Sequence, residues 1–261
     1  MGTVHEPTAH ALHLTLRARG IDLAIGTGFH VSYKGKFWLI TAGHNLLGRD
    51  YLTGEVLSKK TGATPNTVGV RHTWVDTLGQ WTEVEMSLFD DEGRAQWFEH
   101  PVHGRMVDVV ALEVPQDLPS VATIYAWNLE QAGPAQLTVP DDVSIVGFPF
   151  GITGGAGFAI WSRGTVATEL DFHHDGLPMF LVDSRTRSGQ SGAPVFWYSS
   201  HGLIPVKGGW MLNDGTNPPM SLLGLYSGRV NPQSDLGRVF TLTALREIID
   251  GAVRSEESWI D

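Results

Sequence analysis

Residues 21–47 read IDLAIGTGFHVSYKGKFWLITAGHNLL. Two runs rich in Ile, Val, Leu and aromatic residues, 21–32 and 37–41, stand on either side of Gly35. Apolar runs separated by turn formers are the pattern of antiparallel strands. The same texture recurs at 12–17, 84–89 and 107–114, and then in a second set at 143–147, 159–166, 179–182, 193–198, 207–212 and 221–227. Between the sets, residues 118–140 carry Pro119, Gly133, Pro134 and Pro140 and read as a connector. The sequence therefore predicts an all-β unit spanning residues 1–261, with β-rich halves at 10–117 and 141–240. Residues 241–253 (TLTALREIIDGAV) place Leu242, Leu245, Ile248 and Ile249 at helical spacing, which predicts a C-terminal helix docking one apolar face. No repeat at a solenoid or propeller period is visible.

Composition narrows the function classes. The chain has 28 acidic and 18 basic side chains and a formal net charge of −10, which opposes non-specific association with nucleic acid or anionic lipid. It contains no cysteine, so disulfides, Cys-ligated zinc and a thiol nucleophile are excluded. That composition favours a reducing compartment and a cytoplasmic location. The first residues, MGTVHEPTAHALHLTLRARG, show no basic start followed by an apolar core and are read as lacking a signal peptide. No stretch approaches the roughly 20 apolar residues that span a bilayer.

Three segments carry chemistry. In RSGQSGAPVF (187–196), Ser191 lies between Gly189 and Gly192. A nucleophilic hydroxyl needs a tight, exposed turn, and the carbonyl it attacks needs backbone N–H donors beside it. Gly189 has no Cβ and can turn its N–H, with that of Ser191, toward a developing oxyanion. A plain Gly/Ser turn is the competing reading. In FWLITAGHNLL (37–47), an apolar strand delivers His44 at its exit, a rigid mount for a general base. In MVDVVALEV (106–114), Asp108 sits among Val, Ala and Leu, where a carboxylate requires hydrogen-bond donors such as an imidazole N–H.

The blocks TAGH (41–44), DVVALEV (108–114) and GQSGAP (189–194), in that order, resemble the signature blocks of trypsin-like serine peptidases. Separations of 108 − 44 = 64 and 191 − 108 = 83 residues are similar to those of that family. GTGFHV (26–31), VSIVGFPFG (143–151), SRGTV (162–166) and LLGLYSG (222–228) resemble strands of its cysteine-free, HtrA-like bacterial branch, without a PDZ domain. The resemblance implies two six-stranded antiparallel β-barrels with a C-terminal α-helix and an active site in the crevice between them. It also implies a serine endopeptidase acting on proteins or peptides through a His44, Asp108, Ser191 triad and a Gly189/Ser191 oxyanion hole, with no cofactor and no metal. Arg185 would floor the pocket for the side chain preceding the scissile bond. Thr186, Ser188, Tyr226, Ser227 and Gly228 would complete the substrate site. Gln190 stands where digestive members carry the Asp that pairs with a newly cut N-terminus, so no zymogen switch of that kind is expected. A regulatory protein partner is conceivable for such a peptidase, but no residue identifies one.

Other features yield blander readings. His173 and His174, adjacent on the chain, point to opposite faces if extended and do not make a metal site. His5, His10 and His13 read as surface residues, and Glu83, Glu85, Asp90, Asp91 and Glu92 as a charged hairpin rather than a calcium site. The nine Trp show no stacking stripe beside basic residues. GITGGAGF (151–158) lacks the Lys-Ser/Thr of a P-loop and reads as a flexible loop near the active-site rim. The competing function class is a catalytically silent protein-binding module of the same fold. An α/β-hydrolase esterase is disfavoured because the candidate His precedes Ser191.

Overall fold

The computed structural model describes residues 4–51, 53–59, 61–75, 77–131, 133–215, 218–231 and 233–259. A short helix, α1 (Glu6–His10), leads into β1 (Ala11–Ala18), β2 (Ile21–Tyr33) and β3 (Lys36–Thr41). Arg19 and Gly20 join the first pair and Lys34 and Gly35 the second, all four with positive φ. Two-residue turns with both centres left-handed match the strand twist and fix the register of each hairpin. After β3 come α2 (Gly43–Leu47), the long hairpin β4 (Thr67–Trp74) and β5 (Thr77–Ser87), then β6 (Trp97–Glu99) and β7 (Val110–Glu113). The connector adds β8 (Ala122–Thr123) and β9 (Ala126–Asn128). The second half comprises β10 (Asp142–Gly147), β11 (Ile160–Val166), β12 (Met179–Ser184), β13 (Ala193–Tyr198), the hairpin β14 (Leu203–Val206) and β15 (Gly209–Leu212), β16 (Met220–Arg229) and β17 (Leu236–Thr241). Helix α3 (Leu242–Gly251) and β18 (Val253–Arg254) close the chain.

The second half closes: β10-β11-β12-β17-β16-β13 form a six-stranded antiparallel barrel around Ile145, Val182, Val195 and Val239. The second closed six-stranded barrel expected from the resemblance is not shown by the ladders among the described residues of the first half. That half is a ten-stranded sheet, β18-β6-β7-β3-β2-β1-β4-β5, with β8 on β4 and β9 parallel to β2. Closure would require β5 to pair along β6, but β7 and β18 occupy the two edges of β6. Between the end of β5 and the start of β6, a bridge joins Phe89 and Ala95 and the Gln96 N–H donates to the Leu88 carbonyl at 2.9 Å. Strands β4, β6 and β17 were not anticipated from the sequence.

The continuous apolar runs have a physical reason. In β3, Leu39 packs into the core of the first sheet with Leu14, Val70 and Trp97, while Trp38 and Ile40 face a second core shared with Phe196, Leu225 and Phe240 of the barrel. In β7, Val110 and Leu112 take the first direction and Ala111 the second. Strands covered on both faces carry no polar alternation. Ala244, Leu245, Ile248 and Ile249 seat α3 in the shared core, and the Arg246 guanidinium donates to the Leu129 carbonyl at 2.7 and 2.9 Å. Among the described residues no helix is long and apolar enough to cross a membrane.

Two histidines lie wholly inside. The rings of His30 on β2 and His72 on β4 stack at 13°, with their Nε2 atoms 3.0 Å apart, so one ring donates and the other accepts. Burial drives both well below the ordinary 6.5, with the neighbouring imidazole adding to the effect on His30, which reaches about 3, and His72 reaching about 4. The unfolded chain therefore binds more protons than the folded one once the pH falls below about 6.5. Stability drops as pH goes from there toward 4, by up to about 1.4 kcal/mol per pH unit for each histidine. In urea unfolding at a series of pH values, His72→Gln is expected to flatten that slope by about one proton. An unchanged slope would contradict the buried neutral pair.

Candidate active site

His44 lies in the first turn of α2, just after β3, and Asp108 precedes β7, the strand paired with β3. The two residues are thereby delivered to the same end of adjacent strands. The Asp108 side chain is fully buried, and its carboxylate is met by three donors. The His44 backbone N–H donates to Oδ1 at 2.8 Å, His44 Nδ1 donates to Oδ2 at 2.7 Å, and the Ser227 hydroxyl donates to Oδ2 at 2.6 Å. A Cβ on Gly43 would sit 3.1 Å from Asp108 Oδ1, so glycine there lets the carboxylate reach the helix start. Because an ionised carboxylate only accepts, Nδ1 carries the proton and Nε2 is left as the basic nitrogen. Burial by itself would lower the His44 imidazole. The charge and hydrogen bond of Asp108, with Asp50 adding, outweigh burial and a nearby Arg238 and raise it above 6.5.

Ser191 sits on the turn between β12 and β13. Gly189 and Gly192 bracket it with φ of +92° and +90°. A Cβ on Gly189 would collide with the Phe148 carbonyl oxygen, and one on Gly192 with the Thr27 carbonyl oxygen. Residues of the first half clasp this turn. The Thr27 N–H and Asn45 Nδ2 each donate to the Ser191 carbonyl at 3.0 Å, and the Thr27 hydroxyl donates to the Gly189 carbonyl at 2.7 Å. Neither Thr27 nor Asn45 was singled out in the sequence. Thr27 does lie in the GTGFHV block, where a small hydroxyl residue between glycines was the available signal. Gln190 is fully buried, accepting from the Arg187 N–H at 2.8 Å and donating to Ser162 Oγ at 2.9 Å. Among the described residues no protein acceptor takes the backbone N–H of Gly189 or of Ser191.

His44, Asp108, Ser188, Gly189, Ser191 and Ser227 line one cavity of about 490 Å³, together with Gly228. A side pocket of about 190 Å³ shares Ser188, Ser191 and Gly228 and adds Thr186 and Tyr226, whose hydroxyls hydrogen-bond to each other. Arg185 is exposed and lines neither space. The expected rim loop behaves differently along its length. Gly151 reaches a neighbouring cavity beside Gly189, whereas Ala156 and Gly157 are tied to the first half by Trp81 Nε1 at 2.7 Å and Arg71 Nη2 at 2.6 Å. His174 pairs with Asp175 on a surface turn, and no group of three metal-ligating side chains occurs among the described residues. Of the terminal histidines expected at the surface, His10 is instead buried against Trp127, with ring centroids 4.4 Å apart.

Residues 26–203 match the trypsin-like peptidase domain family. Among solved structures, the chain resembles a thermostable serine protease, AL20, from an extremophilic microorganism, with 11% identity over 93% of this chain and 96% of that one and a TM-score of 0.51. It also resembles the serine endoprotease from Yersinia pestis, with 12% identity over 96% and 66% and a TM-score of 0.50. The active form of the Rv3671c protease from M. tuberculosis matches at 17% identity over 97% and 85%, with a TM-score of 0.48. At these identities the likeness to the first two concerns the fold alone. No curated protein sequence matches the chain.

The electrostatics of the His44–Asp108 pair can be measured directly. In a histidine NMR titration, the His44 imidazole is expected to titrate above 6.5. In Asp108→Asn, burial remains while the compensating charge is gone, so the imidazole should fall below 6.5. A His44 that titrates identically in both proteins would refute the coupling.

Proposed function

As the chain belongs to the trypsin-like peptidase domain family, we propose that it is a serine endopeptidase, with His44, Asp108 and Ser191 as its triad. The observation that carries this reading is the buried Asp108 carboxylate. It fixes His44 with Nε2 as the basic nitrogen, in the cavity that Ser191 also lines. In this mechanism the Ser191 hydroxyl attacks the peptide carbonyl while His44 Nε2 takes its proton, forming the tetrahedral intermediate. Asp108 stays ionised and stabilises the imidazolium. His44 then protonates the leaving amine, the C–N bond breaks and an acyl-enzyme remains. Water, deprotonated by His44, releases the acid and restores the serine.

The N–H groups of Gly189 and Ser191 are the donors we assign to the oxyanion. Electrostatic stabilisation of this kind is commonly the largest single contribution to acyl transfer. Its geometry would be set by the Thr27 and Asn45 bonds to the carbonyls of the same turn and by the Gln190 brace beneath it. Substrate would run along β16 past Ser227 and Gly228. We read the curled ten-stranded sheet as the counterpart of the family's first barrel and residues 118–140 as the connector between halves. A cysteine-free chain suits the cytoplasm.

Labelling with a fluorophosphonate probe and turnover of a peptide pool test the assignment together. Ser191→Ala should abolish labelling and reduce turnover on the order of a millionfold, and Asp108→Asn should reduce it about ten-thousandfold by losing the tautomer. Wild-type protein that folds but neither labels nor cleaves would leave the silent binding module as the better reading.

A further inference from the structure

One face of β2 changes its surroundings along the strand. Phe29 and Val31 lie in the core shared with the barrel, and Thr27 clasps the nucleophile turn. Side chains two apart on a strand share a face, so Ile25 comes next on that side, paired with Thr15 of β1. Beyond the turn this face is no longer covered, and Ile25 is 41% exposed. Leu16 and Arg17 of β1 pair with Ala24 and Asp22, which leaves Leu23 as a bulge, a device that re-aims a side chain. The facing wall is the turn after β10. Phe150 there is 64% exposed and holds φ at +54°, a left-handed conformation that disfavours a bulky side chain, so its ring is presented at a cost in backbone strain. The turn is tied to the nucleophile segment, since the Phe150 N–H donates to the Ser188 carbonyl at 2.6 Å. A Cβ on Gly151 would come within 2.8 Å of Ile25 Cδ1, so the two walls meet at that glycine. Between them lies the cavity beside Gly189, of about 530 Å³.

We propose that this cavity receives a large apolar side chain of the substrate, Leu or Phe, at the first or second residue after the scissile bond, with Ile25 and Phe150 as the specificity-determining residues. The inference rests on the serine-peptidase reading and names the substrate class of that same site. Three placements assign the cavity to the leaving segment. It is lined by no residue of β16, the strand along which the acyl segment would run. It meets the nucleophile turn at Ser188 and Gly189 and shares neither Thr186 nor Tyr226 with the side pocket. Leu23, Ala24 and Ile25 line both this cavity and that of His44, the base that would protonate the leaving amine, so a chain departing from Nε2 passes onto β2. The polar groups of the lining do not favour a charged occupant. Its carboxylate, Asp22, already accepts from Arg17 Nε at 2.7 Å, and a substrate lysine would have to compete with that guanidinium. Burial and the charge of Arg71, against an opposing effect of Glu83, drive the His13 imidazole down to about 4, so it is neutral near pH 7. An acidic side chain would therefore meet no cation among the described lining residues and would lose water without a partner. An apolar one instead removes the exposed hydrocarbon of Ile25 and Phe150 from water.

The test uses the full chain. A peptide cleaved from a protein-digest pool serves as parent, and each of the two positions after its scissile bond is set in turn to Leu, Phe, Ser, Asp or Lys. At one of the two positions, Leu or Phe is expected to exceed Ser, Asp and Lys by at least about tenfold in kcat/KM. Ile25→Ser and Phe150→Ser, each checked for folding by thermal melting, are expected to bring that ratio toward one. Phe150 belongs to no buried core cluster, so its substitution is expected to fold even where that of Ile25 does not. Ser, Asp or Lys matching Leu and Phe at both positions, or a ratio untouched by the substitutions, overturns the inference while the peptidase reading stands. So does fluorophosphonate labelling of Ser191 without cleavage of any peptide that carries Leu or Phe there. Absence of both labelling and cleavage would instead bring down the peptidase reading, and the apolar preference with it.

Discussion

A fully buried carboxylate organises this molecule. Taking a carboxylate out of water costs several kcal/mol even after relaxation, unless charge-assisted donors replace the lost solvent. Asp108 meets that requirement with donors from both halves: the His44 backbone and imidazole from the first, the Ser227 hydroxyl from the second. The halves are thereby held in one relative placement at the cavity, and the imidazole is held in one tautomer. Both consequences follow from satisfying a single charge. The requirement also explains why the residue before His44 is glycine, since a side chain there would crowd the carboxylate.

The nucleophile turn is organised by the same logic of spanning bonds. Its glycines adopt conformations in which any side chain would strike the backbone of Thr27 or Phe148. Its carbonyls are engaged by Thr27 and Asn45, and Gln190 occupies the space beneath with both ends of its amide bonded. Both ends of that amide are satisfied by nearby groups of the folded chain, the Arg187 N–H and Ser162 Oγ. The shared core of Phe29, Ile40, Phe196, Leu225 and α3 supplies the rigid seat on which these polar contacts are precise enough to matter.

Much of this was readable from local pattern, and the failures have identifiable causes. Strands such as β3 and β13 were visible because apolar runs of limited length bounded by turn formers have few other readings. Strand β4, TVGVRHTW, escaped because His72, though wholly buried, has the polarity of a surface residue. Strand β17 escaped because Gly237 and Arg238 interrupt its apolar run. The C-terminal helix was expected over 241–253 and runs over Leu242–Gly251, its last turn giving way to β18. That strand takes an edge of β6 in the first sheet, an edge pairing that no local pattern announced.

By itself, then, the sequence determined that the chain is mainly extended, which of its longer apolar runs are strands, and that His44, Asp108 and Ser191 were the residues to follow. These are properties of residue type, short-range periodicity and motif order. Only the tertiary structure decided how the first sheet ends, that Ser227, Thr27 and Asn45 brace the site, and that Arg185 lines neither the cavity nor its side pocket. Those outcomes depend on ladder register, where a shift of one residue sends a side chain to the opposite face. They also depend on contacts between residues more than a hundred positions apart, and no local pattern encodes them.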